Sequence, residues 1–223
     1  MTTPNLAPSV TEYEWQGPKR GADRAVLLAH GAGSDMHGAA LVAVADALAK
    51  AKIPSLRFNY PYRTAARNAP DRPKVLDAAT RQAAAELAKR SKLPPERLVL
   101  GGRSMGGRYC SMVVGDGDDP LPALGLVMLS YPLHAAGKAD QPRTAHFPGI
   151  RVPILFVSGT RDSMAGKDDL TRAAKKIRGK VSFHWVDTAD HGYRPLKASG
   201  RSAADVAVEV ADTTVAWVAG LPG

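Results

Sequence analysis

With 223 residues, 44% of them hydrophobic, the chain is large enough for one domain with a sizeable core and too apolar to be disordered. One cysteine excludes a disulfide framework, and the longest apolar stretch, AALVAVADALA, is shorter than a membrane span and interrupted by Asp46. The net charge of +9 comes without aromatic–basic interleaving or a nucleic-acid reader motif, so we expect no nucleic-acid partner and no membrane partner.

The start of the chain, MTTPNLAPSV, lacks the basic cluster and the apolar segment of a signal peptide. Together with the single cysteine, Cys110, this favours a reducing compartment, and we expect one cytoplasmic domain over residues 1–223. The densest basic stretch, residues 175–180, falls at the end of a predicted helix, where positive charge suits the helix dipole.

Short β-rich runs alternate with longer helical runs, which is typical of a parallel sheet covered by helices. Strands are predicted over residues 25–29, 55–60, 97–102, 123–130, 152–159 and 180–186, with an antiparallel edge strand at 11–16. Helices are predicted over residues 38–51, 74–91, 105–114, 166–178 and 203–219. The first helix should place Leu41, Val42, Ala45 and Leu48 on its apolar face. We therefore predict an α/β fold, a doubly wound and mostly parallel sheet with helices on both faces and sites at the carboxyl ends of its strands.

Residues 102–106, Gly-Arg-Ser-Met-Gly, fit the pattern G-x-S-x-G between a predicted strand and a predicted helix. In that context the chain turns so sharply that side chains at the flanking glycines would collide with neighbouring backbone. The hydroxyl of Ser104 then projects above the sheet edge, near the free N–H groups of the next helix. The pattern indicates a nucleophilic serine, and the alternative is an ordinary turn serine that caps a helix.

A serine hydroxyl is a poor nucleophile without a base, and the chain has six histidines. His191 is the best placed, because it lies in a loop after the last predicted strand. Asp162, in the turn after the preceding strand, is predicted to orient the imidazole, and its alternative role is to cap the next helix. Asp190 adjoins His191 and would struggle to reach its ring, and Asp187 is a further rival. The chain order Ser104, Asp162, His191 is the one expected for this architecture.

Attack on a carbonyl creates an oxyanion, which needs two preset N–H donors. The first donor is predicted to be the N–H of Met105, the residue after the nucleophile. The second is predicted to be the N–H of Ala32, in the loop HGAGSDMHG after the first core strand, and the next residue, Gly33, is the alternative. A dinucleotide fingerprint would need a glycine where Met36 stands, and a phosphate loop would need G-K-[ST]. We therefore expect no organic cofactor and no metal.

The motifs HGAGS, GRSMGG, GTRD and DHG make nearly the whole chain resemble the α/β-hydrolase superfamily. The resemblance is nearest to small, lidless, dienelactone-hydrolase-like proteins and implies the α/β-hydrolase fold. The phrases LSYPLH, HFPGIRVPILFVSGTRD and FNYPYR are similar to bacterial hydrolases related to a hydrolase-like domain in a subunit of a eukaryotic histone-acetyltransferase complex. Dienelactone hydrolases have cysteine at the elbow, where this chain has Ser104, which argues against dienelactones as substrates. Cys110, further along the helix, is predicted to pack in the core.

Many α/β hydrolases carry a helical cap between two late strands. Here that interval, residues 131–151, is short and rich in proline and polar residues, so we predict a loop, no helical cap and an open site. Candidate substrate-pocket residues are His30, Tyr62, Arg63 and His134. For Arg63 the alternatives are binding an acidic group of a substrate and forming a surface ion pair.

These residues predict a serine hydrolase of carboxylesterase type, acting on a small-molecule ester through an acyl-enzyme on Ser104, with thioesters and amides as further candidates. Two alternatives stay open: a non-catalytic binding or scaffold protein on a hydrolase fold, and an acyltransferase, in which an alcohol replaces water.

Overall fold

The computed structural model describes residues 9–222. Residues 1–8, on which most of the signal-peptide interpretation rests, lie outside the described residues. Within the described part, seven strands form one sheet: β1 (Tyr13–Gln16), β2 (Ala25–Ala29), β3 (Ser55–Phe58), β4 (Leu98–Arg103), β5 (Gly125–Leu129), β6 (Ile154–Gly159) and β7 (Val181–Val186). The helices are α1 (Ala39–Lys50), α2 (Pro61–Thr64), α3 (Pro73–Ser91), α4 (Met105–Val114), α5 (Lys167–Ala174) and α6 (Ala203–Ala219).

The sheet has the order β1-β3-β2-β4-β5-β6-β7. Strand β1 runs antiparallel to β3, and every other neighbouring pair is parallel. This confirms the predicted fold class, including the antiparallel edge strand. Because the parallel strands share one direction, the ends of β4, β6 and β7 bring the segments with Ser104, Asp162 and His191 to one edge.

Helices cover both faces of the sheet, since successive strand residues point to opposite sides. In β2, Leu27 and Ala29 pack with α3 and α4, whereas Val26 and Leu28 pack with α1 and α6. The central strands are therefore buried on both sides, which explains why they read as continuous apolar runs in the sequence.

The structure differs from the prediction in three places. On α1 the buried residue is Val44, whereas Val42 is partly exposed, because Leu41, Val44, Ala45 and Leu48 follow the helical period and Val42 does not. Helix α5 ends at Ala174, so the basic stretch 175–180 follows the helix instead of completing it. The short helix α2, which begins at Pro61, was not predicted.

The segment between β5 and β6 is a loop, as predicted. Its only helical turn within the described chain is a 3₁₀ turn at Phe147–Gly149, so no helical cap covers the sheet edge. Phe147 and Ile150 anchor this loop in the core. None of the helices in residues 9–222 combines the length and apolar character needed to cross a membrane.

Candidate active site

Ser104 occupies a strained turn between β4 and α4. Its backbone has φ 50° and ψ −116°, outside the regions that non-glycine residues favour, and its N–H donates to the carbonyl of Leu129 at 2.9 Å. After the turn, α4 packs so closely on β2 that two positions have no room for a side chain. A Cβ at Gly106 would lie 2.3 Å from the carbonyl oxygen of Ala29, and one at Gly102 would lie 2.1 Å from it. The two glycines thus permit the bend that exposes the serine hydroxyl.

Ser104, His191 and Asp162 form one hydrogen-bonded chain. The Oγ of Ser104 lies 2.9 Å from Nε2 of His191, and Nδ1 of His191 lies 2.8 Å from Oδ2 of Asp162. Because a carboxylate only accepts, Nδ1 carries the proton and Nε2 is free to accept one from the serine. The Asp162 side chain is fully buried and its other oxygen accepts from the N–H of Met164 at 2.8 Å, whereas the His191 side chain is 20% exposed.

The rival carboxylates serve other contacts. Asp190 accepts from the N–H groups of Gly192 and Arg194, at 2.7 and 2.9 Å, and so stabilises the turn beside His191. Asp187 lies near the hydroxyl of Thr160, at 3.5 Å. Neither reaches the imidazole, as the sequence argument on Asp190 predicts.

A contact that sequence analysis missed ties the elbow to the histidine loop. The guanidinium of Arg103, the residue before Ser104, donates to the backbone carbonyl of His191 at 3.1 Å. This hydrogen bond holds the loop that carries the imidazole against the strand that carries the hydroxyl. No local signal reveals it, since 88 residues separate the partners.

The loop chosen for the second oxyanion donor lies against the nucleophile. A Cβ placed on Gly31 would come 3.5 Å from Cβ of Ser104, so the backbone at Gly31 and Ala32 passes beside the serine. On the other side, the N–H of Met105 opens α4, where the first-turn N–H groups have no acceptor within the helix. The loop and the start of α4 thus both lie next to Ser104, and the N–H groups of Ala32 and Met105 stay the predicted oxyanion donors.

His30 and Tyr62, which were predicted to line the pocket, instead form hydrogen bonds with the backbone of the loop that contains Gly31 and Ala32. His30 is fully buried, with Nδ1 donating to the carbonyl of Gly31 at 2.8 Å and Nε2 accepting from the N–H of Tyr60 at 3.1 Å. Tyr62 is also fully buried, and its hydroxyl donates to the carbonyl of Ala32 at 2.9 Å. The pocket roles predicted for His30 and Tyr62 are therefore wrong, because neither side chain is accessible to a substrate.

Burial also fixes the charge of His30. Desolvation lowers its pKa from 6.5 to about 4, against a smaller opposing effect of its hydrogen bond to Gly31. The imidazole is therefore neutral at physiological pH, with one nitrogen donating and the other accepting.

This burial predicts an acid-sensitive fold. Between pH 6.5 and 4 the unfolded chain binds a proton at His30 that the folded chain does not, so the free energy of unfolding falls as the pH falls. From pH 7 to pH 4.5 the loss at this site should be about 2 to 3 kcal/mol. Urea unfolding at a series of pH values measures it.

The variant His30→Asn should show a shallower decline over that range than the wild type. Ring NMR signals give a second readout, since the His30 ring should not titrate above pH 5. A His30 signal that titrates near pH 6.5 would contradict the assignment.

Arg63 and His134 occupy different surroundings. The guanidinium of Arg63 lies 3.7 Å from Asp35 and donates to Asn68 at 3.2 Å, which matches the ion-pair alternative. His134 bonds through Nδ1 to the carbonyl of its neighbour Ala135 and lines a cleft with residues of α5. A pocket role for His134 stays a prediction.

Cys110 is fully buried on α4, where its thiol donates to the carbonyl of Gly101 at 3.2 Å. Burial raises the pKa of this thiol to about 12, so it remains protonated and packs as the sequence predicts. Among residues 9–222 no group of three His, Cys, Asp or Glu side chains is arranged to hold a metal ion.

The sheet order and the elbow at the end of β4 are those of α/β hydrolases. Residues 22–219 match the family described as "Alpha/beta hydrolase domain", and the chain therefore belongs to that family. The further resemblance to the histone-acetyltransferase subunit stays a prediction.

Solved structures of several hydrolases share this fold. A dienelactone hydrolase from Anabaena variabilis superimposes with a TM-score of 0.68 at 17% identity, covering 95% of this chain and 92% of its own. An esterase domain from Rhodothermus marinus gives 0.68 at 18% identity, with coverage of 94% and 92%. An α/β serine hydrolase without a lid from Xanthomonas campestris gives 0.62 at 18% identity, with coverage of 95% and 89%. At these identities the likeness concerns the fold.

Proposed function

We propose that the protein is a serine hydrolase of carboxylesterase type, with Ser104, His191 and Asp162 as its catalytic triad. The observation that supports this most is the unbroken hydrogen-bonded chain from a strained serine through a histidine to a buried carboxylate. A small-molecule carboxylic ester is the substrate, and thioesters and amides are related candidates.

In the first half of the reaction, His191 Nε2 accepts the hydroxyl proton while Ser104 Oγ attacks the acyl carbonyl carbon. The C=O electron pair moves onto the oxygen, and the N–H groups of Met105 and Ala32 donate to the resulting oxyanion. Asp162 holds the imidazole in place and stabilises its charged form. When the C–O bond to the alcohol breaks, His191 returns the proton to the leaving oxygen, and the acyl group remains on Ser104.

In the second half, a water molecule takes the place of the alcohol. His191 accepts one water proton as the water oxygen attacks the acyl carbon, and the same N–H groups stabilise the second oxyanion. Cleavage of the bond to Ser104 then releases the carboxylic acid, and the proton passes from His191 back to the serine. No other reactant is needed.

A fluorophosphonate probe tests the nucleophile. It should label the purified protein at one site per chain, and peptide mass spectrometry should locate the label on Ser104. Among residues 9–222, this is the one hydroxyl that is paired with a base at an exposed edge. Heat-denatured protein is the matched control and should not react. Absence of labelling, or labelling at another residue, would contradict the proposal.

The reaction class is tested with 4-nitrophenyl esters of increasing chain length. We expect release of nitrophenol and free acid. If added alcohols instead divert most of the acyl group into new esters, the protein is an acyltransferase. Labelling of Ser104 without turnover of any ester would favour a binding protein on a hydrolase fold.

A further inference from the structure

Arg103, the last residue of β4, directly precedes Ser104 and projects from the face of the sheet that α1 covers. Side chains alternate along a strand, and in β4 Leu100 packs in the core with α3 and α4, whereas Val99 packs in the core with α1. Arg103 lies four residues after Val99 and therefore shares its side. A small cavity lined by Arg103 and the first residues of α1 agrees with this direction.

The guanidinium of Arg103 lies between the two loops that complete the site. These are the histidine loop, residues 187–194, and the loop predicted to supply the second oxyanion donor, residues 30–38, which we call the oxyanion loop. Nη2 of Arg103 donates to the backbone carbonyl of His191 at 3.1 Å. A Cβ placed on Gly31 would lie 3.4 Å from Nη1 of Arg103 and 3.5 Å from Cβ of Ser104. The guanidinium thus packs beside the backbone of both loops.

The histidine loop has other anchors, but they fix the residues around His191. The hydroxyl of Tyr193 donates to the carbonyl of Val157 at 2.7 Å, and the N–H of Tyr193 donates to the carbonyl of Asp190 at 2.9 Å. Among the hydrogen bonds formed by residues 9–222, the one from Arg103 alone reaches the backbone of His191. The position of the residue that carries the imidazole therefore depends directly on Arg103.

This position matters because the nucleophile and its base come from separate segments of the chain. The 2.9 Å contact between Oγ of Ser104 and Nε2 of His191 requires that the end of β4 and the histidine loop keep a fixed separation. A displacement of about 1 Å at a reacting group can lower the rate by about 100-fold. Arg103 is bonded covalently to Ser104 and hydrogen-bonded to His191, so it connects the two positions by the shortest route.

We propose that Arg103 is a positioning residue for the hydrolysis. It fixes the distance between His191 and Ser104 and supports the oxyanion loop at Gly31, and it acts through these groups without touching the ester. A guanidinium suits this role, because its planar fork presents several donors and a charged donor forms a stronger hydrogen bond than a neutral one. The inference rests on the proposed function and assigns a role to a position that the pattern G-x-S-x-G leaves open.

The variant Arg103→Met removes the donors and retains an unbranched side chain. We expect kcat for a 4-nitrophenyl ester to fall by about 10- to 100-fold, with KM within about threefold of the wild type, because the lost contact is not made to substrate. The rate at which a fluorophosphonate labels Ser104 should fall in parallel. Thermal unfolding checks that the fold is retained.

Arg161→Met is the matched control for this change. The guanidinium of Arg161 also donates to a backbone carbonyl of the histidine loop, that of Thr188 at 3.3 Å, but this contact is exposed and lies three residues before His191. Its removal should leave kcat within about twofold of the wild type, as for other surface substitutions. The pair of variants separates the position of His191 from the general anchoring of the loop.

Chemical rescue distinguishes positioning from a general loss of structure. A cavity of about 130 Å³ borders Arg103 and is also lined by Gly31 and Gly192, so a guanidinium ion from solution can reach the space that the substitution empties. Millimolar guanidinium chloride, far below the molar range that unfolds proteins, should raise kcat of Arg103→Met several-fold. Sodium chloride at the same concentration should not, and the wild type should respond to neither salt.

Two results would overturn the positioning role while leaving the hydrolase standing: unchanged kcat and labelling in Arg103→Met, or a loss that guanidinium does not restore. If the wild type neither hydrolyses esters nor reacts with the probe, the proposed function fails and ¹H NMR becomes the readout. The Nδ1 proton that His191 shares with Asp162 should then give a downfield signal in the wild type, which Arg103→Met loses and guanidinium restores. An unaltered signal in Arg103→Met would overturn the inference.

Discussion

Replacing Ser104 with alanine should lower kcat for an ester by about 10⁴- to 10⁶-fold, the scale of nucleophile removal in other serine hydrolases. The loss is this large because the hydroxyl is the atom that attacks, and no other group stands at the end of the His191–Asp162 pair. Initial rates with a 4-nitrophenyl ester measure it, provided that the variant protein is purified from material never in contact with the wild type.

The chain supplies its own matched control. Ser111, on the same helix, also lies 2.8 Å from a histidine nitrogen, that of His146, but this serine is fully buried. Ser111→Ala should therefore leave kcat within about twofold, since a hydrogen bond between serine and histidine is not sufficient without access to substrate. Equal activity of wild type and Ser104→Ala would remove the nucleophile assignment.

Most of the fold could be predicted from the sequence, because the local sequence patterns of the strands agree with their burial in the folded protein. The strands of the central sheet are buried on both faces, so β2 and β4 to β6 appear as short apolar runs, and glycines mark the elbow where α4 meets β2. The assignment of Val42 to the core failed because alternate alanines and valines make α1 apolar on most sides. The helical period that starts at Leu41 selects Val44 instead, and the structure buries it.

The surroundings of the site were less readable, because they depend on contacts between distant segments. His30 has the same sequence context whether it lines a pocket or lies beneath the loop, and only the position of Tyr60 decides between the two. A sequence also does not reveal which arginines have a carboxylate partner. Arg63 was the arginine chosen for an acidic substrate, and it is the one beside Asp35.

Replacing Asp162 with asparagine should lower kcat by about 10⁴-fold with little change in shape. The carboxylate accepts two hydrogen bonds, one from Nδ1 of His191 and one from the N–H of Met164, both at 2.8 Å. An amide has one oxygen and one NH₂, so it satisfies one of these donors. If the asparagine oxygen stays with Met164, its NH₂ group faces Nδ1 of His191 and forces the imidazole proton onto Nε2. A protonated Nε2 can no longer accept the proton of the serine hydroxyl.

Asp190→Asn is the control for this change. Asp190 uses a single oxygen, Oδ1, for both of its backbone contacts, and an asparagine retains that acceptor, so kcat should stay within about twofold of the wild type. ¹⁵N NMR of the His191 ring reports the tautomer independently of activity. The other role considered for Asp162 is to cap the next helix, but its carboxylate accepts from Met164, before α5 begins at Lys167. A purely structural role in this loop predicts lower thermal stability with unchanged kcat. A variant with that behaviour and an unaltered tautomer would show that the carboxylate supports the loop and does not orient the base.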